Sequence, residues 1–311
     1  MITALNVLIP RMGAGGKIGA ATVAVLVACS LAAPLWADHV AHTGPNETHV
    51  TERVYGKPVV SRQGVPIGPT WRAKFFLGAD PDGRDVMVRL LYGGRTSLLI
   101  AAAASLLTIV LACLAGFAAG WSRGALDAIV SRGLDALWAF PAILLAGSLG
   151  TALTLGGLKV GPVTIGAGSH LLPVLVIGFV SVPYFARPLR AEVRALRRSE
   201  FVTAARALGA GGPRILAREV APNVLPTLSA LLPVVVANSL LLEAALSFLG
   251  VGVQAPDPSW GTLIADGTER ITTAPWLAIA PGLVLAVTVL CVNLLATAGR
   301  RALDPRSAGL V

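Results

Sequence analysis

The sequence predicts an all-α, polytopic membrane protein with six transmembrane helices, and three observations carry that prediction. The 311 residues are 55% hydrophobic and only 13% charged, whereas a soluble domain carries about 25% charged residues. Mean hydropathy is +0.74. Six uncharged runs, at 18–36, 96–122, 136–158, 160–186, 220–242 and 271–299, are long enough to cross a bilayer, which takes about 20 helical residues. Lipid offers backbone groups no hydrogen-bond partners, so each run is expected to be helical.

Arg11 and Lys17 precede the first run, which favours a cytoplasmic N-terminus by the positive-inside rule. "LVAC" at 26–29 and "PLWA" at 34–37 have the outline of cleavage sites. Both lie on an Ala/Leu/Val-rich background, and the run is read as a retained anchor. Residues 38–95 are then an extracytoplasmic loop with eight basic and six acidic residues; loops near this length follow the charge rule weakly.

Three of the four histidines, His39, His42 and His49, fall in "DHVAHTGPNETH" beside Asp38 and Glu47. Such donors suit a divalent transition metal, but a solvated loop after a membrane exit, rich in turn formers, accounts for them more simply, and no metal site is assigned. Asp80, Asp82 and Asp85 resemble a calcium loop superficially. Gly83 is fourth rather than sixth from Asp80, and Leu91 stands where a bidentate Glu is needed. Val86, Leu90 and Leu91, with Arg84 and Arg89 elsewhere, predict a short amphipathic lead-in helix before the span at 96.

Six spans return the C-terminus to the cytoplasm, where Arg300, Arg301 and Arg306 face only Asp304. Residues 187–219 hold eight Arg against Glu192, Glu200 and Glu219 and fall on the same side, whereas Lys159 and Arg270 stand alone in the opposite loops. Arg132 and Asp135 are expected to pair near the end of span three. Cys29, Cys113 and Cys291 lie far apart inside apolar runs, as small buried thiols rather than a disulfide framework or zinc site.

Net charge is +9, yet no nucleic-acid motif accompanies it. Gly16-Lys17-Ile18 and Gly56-Lys57-Pro58 both fail the phosphate-loop pattern. The chain is expected to bind no cofactor of its own, and no hydrolase elbow, zinc-peptidase helix or Cys/His nucleophile marks it as an enzyme. Glu243 is the notable intramembrane charge, costing about 2.5–3.5 kcal/mol on insertion scales unless it faces protein or water. It either lines a solute path or makes a structural hydrogen bond, and Asn238 presents a weaker form of that choice.

Between spans four and five, Leu189, Val193, Leu196, Val202, Ala205 and Leu208 recur on one helical face. The "GAGG" at 209–212 stops that helix. Pro213 suits the first turn of another, which Pro222 and Pro226 end before span five. The expected object is a projecting helix–turn–helix, and composition alone leaves open whether anionic lipid or a partner protein meets it.

The stretch "FVTAARALGAGGPRILAREVAPNVLP" resembles the cytoplasmic signature loop of ABC importer permeases, Glu-Ala-Ala, three residues, Gly, and a later Pro. Ala204, Ala205, Gly209 and Pro222 match, and Thr203 replaces the usual Glu. "LGADPDGRDVMVRLLYGGRTSL", "GLDALWAFPAILLA", "LEAALSFLGVGVQAPDPSWGTLI" and "TAPWLAIAPGLVLAVTVLCVNLLATAGRRALDPR" extend the resemblance, in order, across most of 77–306. They are similar to the dipeptide/oligopeptide/nickel branch; the part at about 38–76 matches poorly.

The resemblance implies a type I ABC importer permease fold in the cell membrane. It implies a second homologous permease, two ABC ATPase subunits that supply ATP and Mg, and an extracytoplasmic solute-binding protein. It places Thr203, Ala204, Ala205, Arg206, Ala207, Leu208, Gly209, Ala210, Pro213 and Arg214 at the ATPase interface, with a coupling helix at roughly 205–216. Arg206 and Arg214 then meet acidic groups on the ATPase or serve only membrane orientation. Short peptides are the expected cargo and nickel the runner-up. The implied organisation is an N-terminus with first span at 1–37, a loop at 38–95, a permease core at 96–299 containing coupling loop 187–226, and a tail at 300–311.

Overall fold

The computed structural model describes residues 13–54, 56–160, 163–165 and 168–303. Helix α1 (Ala14–Leu31) is followed by a single turn, α2 (Ala33–Trp36), and a π-turn at Ala37–Ala41. An irregular region containing the antiparallel pair β1 (Arg53–Val54) and β2 (Lys57–Pro58) leads to α3 (Val86–Trp121). Next come α4 (Ala125–Trp138), α5 (Ala142–Gly156) and a hairpin of β3 (Leu158–Val160) with β4 (Val163–Ile165). Helices α6 (Leu171–Val180), α7 (Val182–Leu196) and α8 (Glu200–Ala207) precede α9 (Gly212–Phe248), α10 (Trp260–Thr268) and α11 (Trp276–Leu303). The chain is thus mostly helical, with two small hairpins that an all-α reading omits.

Four helices are long and apolar enough to cross a membrane, α1, α3, α9 and α11, and up to six spans result if each bent pair, α4 with α5 and α6 with α7, is one. Large apolar side chains point outward along them, among them Leu106, Leu114, Leu144, Leu283 and Leu290. Water would not tolerate apolar surface on that scale. Lipid does, and the chain is a multi-pass membrane protein.

Span three, expected as one run at 136–158, instead turns through 90° between α4 and α5. Pro141 disfavours helical geometry in the residue before it, so α4 ends at Trp138 and α5 restarts after Pro141. The run at 160–186 contains a β-strand and then a 42° bend at Ser181 between α6 and α7, where Pro183 brings no backbone N–H to the ladder. Hydropathy recorded the apolar lengths but not these breaks.

The lead-in helix expected before residue 96 is no separate element. It is the first part of α3, whose 36 residues extend about 54 Å at about 1.5 Å each, well beyond a hydrocarbon core of about 30 Å. Asp85 starts it by accepting from the N–H groups of Met87 and Val88 at 2.9 and 3.1 Å. Gly93 and Gly94 lie within it, and their missing side chains let the start of α10 cross closely. A Cβ at Gly93 would lie 3.1 Å from the Ser259 backbone, and one at Gly94 3.0 Å from the Trp260 ring.

Pro222 and Pro226 do not end a short helix either. Helix α9 runs through them, with Pro226 and Pro233 inside it. A π-turn at Leu216–Val220 contains Arg218, whose carbonyl a ring at Pro222 would otherwise meet, and the wider turn relieves that clash. The helix expected from 189 to 208 is interrupted at Arg197–Ser199, between α7 and α8.

Helices α3 and α9 form a spine along which buried clusters are stacked. Leu240, Trp260 and Leu263 pack near one end; Ile177 and Leu246, then Phe185 and Val235, fill the middle; Leu189, Val193, Val202, Ile215 and Val224 close the other end. Asp135 pairs with Arg187 at 2.5 Å rather than with Arg132. Of the thiols, Cys291 is buried, but Cys113 is half-buried and Cys29 exposed, facing outward from α1. Arg11, Asp304 and Arg306, which bear on the expected orientation, lie outside the described residues.

Candidate functional site

Two sites lie at opposite ends of the spine. At the arginine-rich end, α8 is held by Val202, fully buried against Ile215, Val220 and Leu189. Arg197, at the break before α8, donates through Nη1 to the carbonyls of Trp121 and Ser122, both at 2.7 Å. These belong to the end of α3, whose last carbonyls have no partner within the helix. One buried cation therefore ties the start of the projecting segment to the end of α3.

Helix α8 stops at Gly209, φ +83°, in a left-handed conformation that favours glycine. Gly209 N–H donates to the Arg206 carbonyl at 2.9 Å and Ala210 N–H to the Ala205 carbonyl at 3.0 Å, the paired bonds of a Schellman turn. Among the residues expected at an interface, Thr203, Ala204, Arg206, Ala207, Leu208, Gly209, Pro213 and Arg214 are exposed, and Ala205 and Ala210 are half-buried. Leu208, 89% exposed, is the apex. Arg206 lies over the Trp121 ring, 5.6 Å from its centroid, and the Thr203 hydroxyl donates to the Ser199 carbonyl at 3.2 Å. The coupling helix expected at 205–216 straddles this turn and takes in the end of α8, which starts five residues earlier, and the first residues of α9.

Toward the loop end, Glu243 is completely buried. Ser247 Oγ donates to its Oε1 at 2.8 Å, and Ser97 and Ser259 also face the carboxylate, while Oε2 has no partner within ordinary hydrogen-bond geometry. Ser247 Oγ accepts from Val253 N–H at 3.0 Å, and Ser97 Oγ accepts from Trp260 N–H at 3.1 Å. Glu243 is thus the hub joining α3, α9, α10 and the turn between the last two. Asn238 lies deeper and donates to Ser181 Oγ at 3.4 Å, across the α6–α7 bend.

Neither residue lines the groove of about 640 Å³ at this end. Its walls are mostly apolar, with polar groups from Asn46, Tyr92, Arg95, Thr96, His170 and Asp257. His170 Nε2 and Asp257 Oδ2 are 3.2 Å apart, while Arg95 is exposed and has no ion-pair partner among the described residues. The sequence reading missed these groove residues. A cation immediately before the apolar run at 96 is the one local signal of them.

The acidic loop before α3 is already neutralised. Asp80 accepts from Arg84 Nε at 2.6 Å, Asp82 pairs with Arg84 at 2.7 Å, and buried Arg89 lies between Asp80 at 3.6 Å and Asp266 at 3.8 Å. Burial raises the Asp85 carboxyl above the usual range, against the lowering effect of three backbone N–H donors. His49 contacts Thr43 Oγ1 at 2.7 Å and Glu52 at 3.0 Å, whereas His39 and His42 are exposed. No three His, Cys, Asp or Glu side chains converge on a metal-sized site among the described residues.

Comparison with known proteins places this arrangement in context. A family model described as binding-protein-dependent transport system inner membrane component matches residues 109–309. The chain is 36% identical over 242 residues to the di/tripeptide transport system permease protein DppC of Pseudomonas aeruginosa, covering 76% of each chain. It is 35% identical over 239 residues to the dipeptide transport system permease protein DppC of Alkalihalophilus pseudofirmus, covering 77% of this chain and 74% of that one. To the oligopeptide transport system permease protein OppC of Haemophilus influenzae it is 33% identical over 238 residues, covering 76% and 72%. The matched segment contains α8, the Gly209 turn and Glu243, and the chain belongs to the family of binding-protein-dependent transport system inner membrane components.

Proposed function

We propose that this chain is a six-span permease subunit of an ATP-driven importer of short peptides, forming half of the translocation path. The observation that carries the reading is the arginine-rich end. An exposed leucine apex is held on a short helix whose opposite face is braced in the core through Val202 and Ile215. A partner seated on that apex pushes α7 and α9 together rather than merely bending a loop. The partner is an ABC ATPase subunit, one of two, which bind ATP and Mg; this chain contributes no phosphate-binding loop.

In this reading both termini are cytoplasmic, and a second homologous permease completes the path. A solute-binding protein delivers the peptide at the loop end. ATP-driven closure of the ATPases acts on α8 and the Gly209 turn, and the spans shift toward the other of two packings of similar energy. Thr203, in place of the usual Glu, makes this contact through a neutral surface, leaving Arg206 and Arg214 as its charged members. The peptide assignment follows the names of the relatives described above.

Coexpression with the second permease and the ATPase subunits tests the proposal. The four chains should copurify, and vesicles containing them should take up a dipeptide only with ATP and the binding protein. Uptake by this chain alone, driven by a proton gradient, would overturn it.

A further inference from the structure

Arg95 stands at the start of the apolar part of α3, on the wall of the groove, and it is exposed. Arg84, Arg89 and Lys74, in the same part of the molecule, each have a carboxylate partner. Arg95 has none among the described residues. A charge beside the hydrocarbon region usually faces protein, a water-filled cavity or a path for solute. Here the groove supplies that surface, and its about 640 Å³ falls in the range of small-molecule sites, about 300–1,000 Å³.

The groove also contains a charge of the opposite sign. Among the described residues the Asp257 side chain is engaged only by His170, at 3.2 Å, and both side chains are about half exposed, 49% and 46%. Exposed ion pairs are screened by water and contribute little, so an arriving ammonium group displaces His170 at little cost. The backbone bearing Asp257 is nonetheless well placed. Val253 N–H is bonded to Ser247, Gln254 Nε2 donates to the Gly250 carbonyl at 3.0 Å, and the Ser259 capping box begins α10 immediately afterwards. Apolar Leu99, Ile100 and Val174 line the wall.

A groove with a free guanidinium, an exchangeable carboxylate and an apolar wall matches a molecule charged oppositely at its two ends. We propose that it is a transit site for the peptide's termini, Arg95 taking the C-terminal carboxylate and Asp257 the N-terminal ammonium. Arginine suits the first task because its planar fork meets both carboxylate oxygens. The assignment rests on the peptide-importer reading, which it deepens by naming the groups that hold the cargo after the binding protein releases it.

The test uses the assembled transporter in lipid nanodiscs without binding protein, so that delivery does not limit the result. A dipeptide bearing a benzophenone side chain is photolysed on the complex, and the labelled residues are located by mass spectrometry. Labelling should fall on the groove wall around Leu99 and on the turn bearing Asp257. Arg95→Gln should reduce it about tenfold, or about 1.4 kcal/mol, with Arg95→Lys intermediate. The C-terminally amidated probe should label wild type weakly and lose nothing further in Arg95→Gln. Asp257→Asn should remove the preference over an N-acetylated probe.

Copurification and melting temperature of each variant monitor assembly. Loss of the second permease from Arg95→Gln overturns the proposal by making Arg95 a subunit contact. Unchanged labelling in Arg95→Gln overturns it as well, leaving a lipid phosphate as that residue's partner. Failure of the peptide-importer reading is separate: wild-type vesicles would then take up no peptide even with ATP and binding protein.

Discussion

Helices α8 and α9 end in the same local motif but in opposite surroundings. Gly209 at φ +83° and Gly250 at φ +75° each terminate a helix with Schellman bonds, Gly250 N–H to the Ser247 carbonyl at 3.1 Å and Val251 N–H to the Leu246 carbonyl at 2.9 Å in the second case. After Gly250 the chain turns inward: Val253 is 3% exposed, Ser259 fully buried, and both are tied to the Glu243 hub. Around Gly209 the chain stays outside, and Leu208 is 89% exposed. One turn is itself drawn into the packed interior, whereas the other is specified by local bonds and stays outside, with the helix before it anchored by Val202 and Arg197. The first belongs to the permanent fold; the second is free to be gripped.

If that contrast is right, substitutions at the loop end should act on stability and those at the arginine-rich end on coupling. The largest effect is expected for Glu243→Leu, which leaves buried Ser247 without its acceptor and removes the carboxylate that Ser97 and Ser259 face, at a cost of about 3 kcal/mol. The melting temperature in detergent should fall by several degrees. Glu243→Gln, which retains an acceptor, should lose less than half as much. Equal losses in the two variants would show that the hub depends on ionic charge rather than hydrogen bonding.

Arg197→Ala is next, at about 2 kcal/mol for two bonds from a charged donor. Because the brace joins the start of the projecting segment to the very end of α3, outside the packed length of the bundle, its loss should appear mainly as faster proteolytic nicking between residues 198 and 211. A large global fall in melting temperature would blur the distinction between the two ends. The smallest effect on stability is expected at Gly209. A Cβ there meets nothing within 4 Å, so Gly209→Val is opposed only by its left-handed backbone, at about 1–2 kcal/mol. Because that cost falls on the projecting turn, the bundle should melt close to wild type while more ATP is hydrolysed per peptide imported. Gly209→Asn, which tolerates that backbone, should keep the wild-type ratio.

The projecting loop was legible to different depths. Its exposure, its basic rim and the turn at Gly209 follow from adjacent residues, because arginine runs and glycine act locally. The break at Arg197–Ser199 did not follow, since the apolar face of residues 189–208 continues across it. That break is set by Arg197 reaching the end of α3, more than seventy residues earlier in the chain. The groove was less legible still, because Asn46, Arg95, His170 and Asp257 come from four separate parts of the sequence.

Glu243 shows the same division within one residue. Sequence alone marked it as a costly charge that must face protein or water, but offered no means of choosing between them. The choice depended on Ser97 and Ser259 arriving from α3 and the start of α10, contacts that no periodicity encodes.

Composition and apolar run length by themselves determined a multi-pass helical membrane protein, because burial in lipid is a property of each segment alone. Local residue chemistry likewise determined the Gly209 turn and the exposed arginines beside it. Only the tertiary structure decided where apolar runs bend, that α3 absorbs its own lead-in, which partner each arginine takes, and that Arg95 and Asp257 share one groove. Those features depend on distances between segments far apart in the chain, and such distances exist only once the helices have packed.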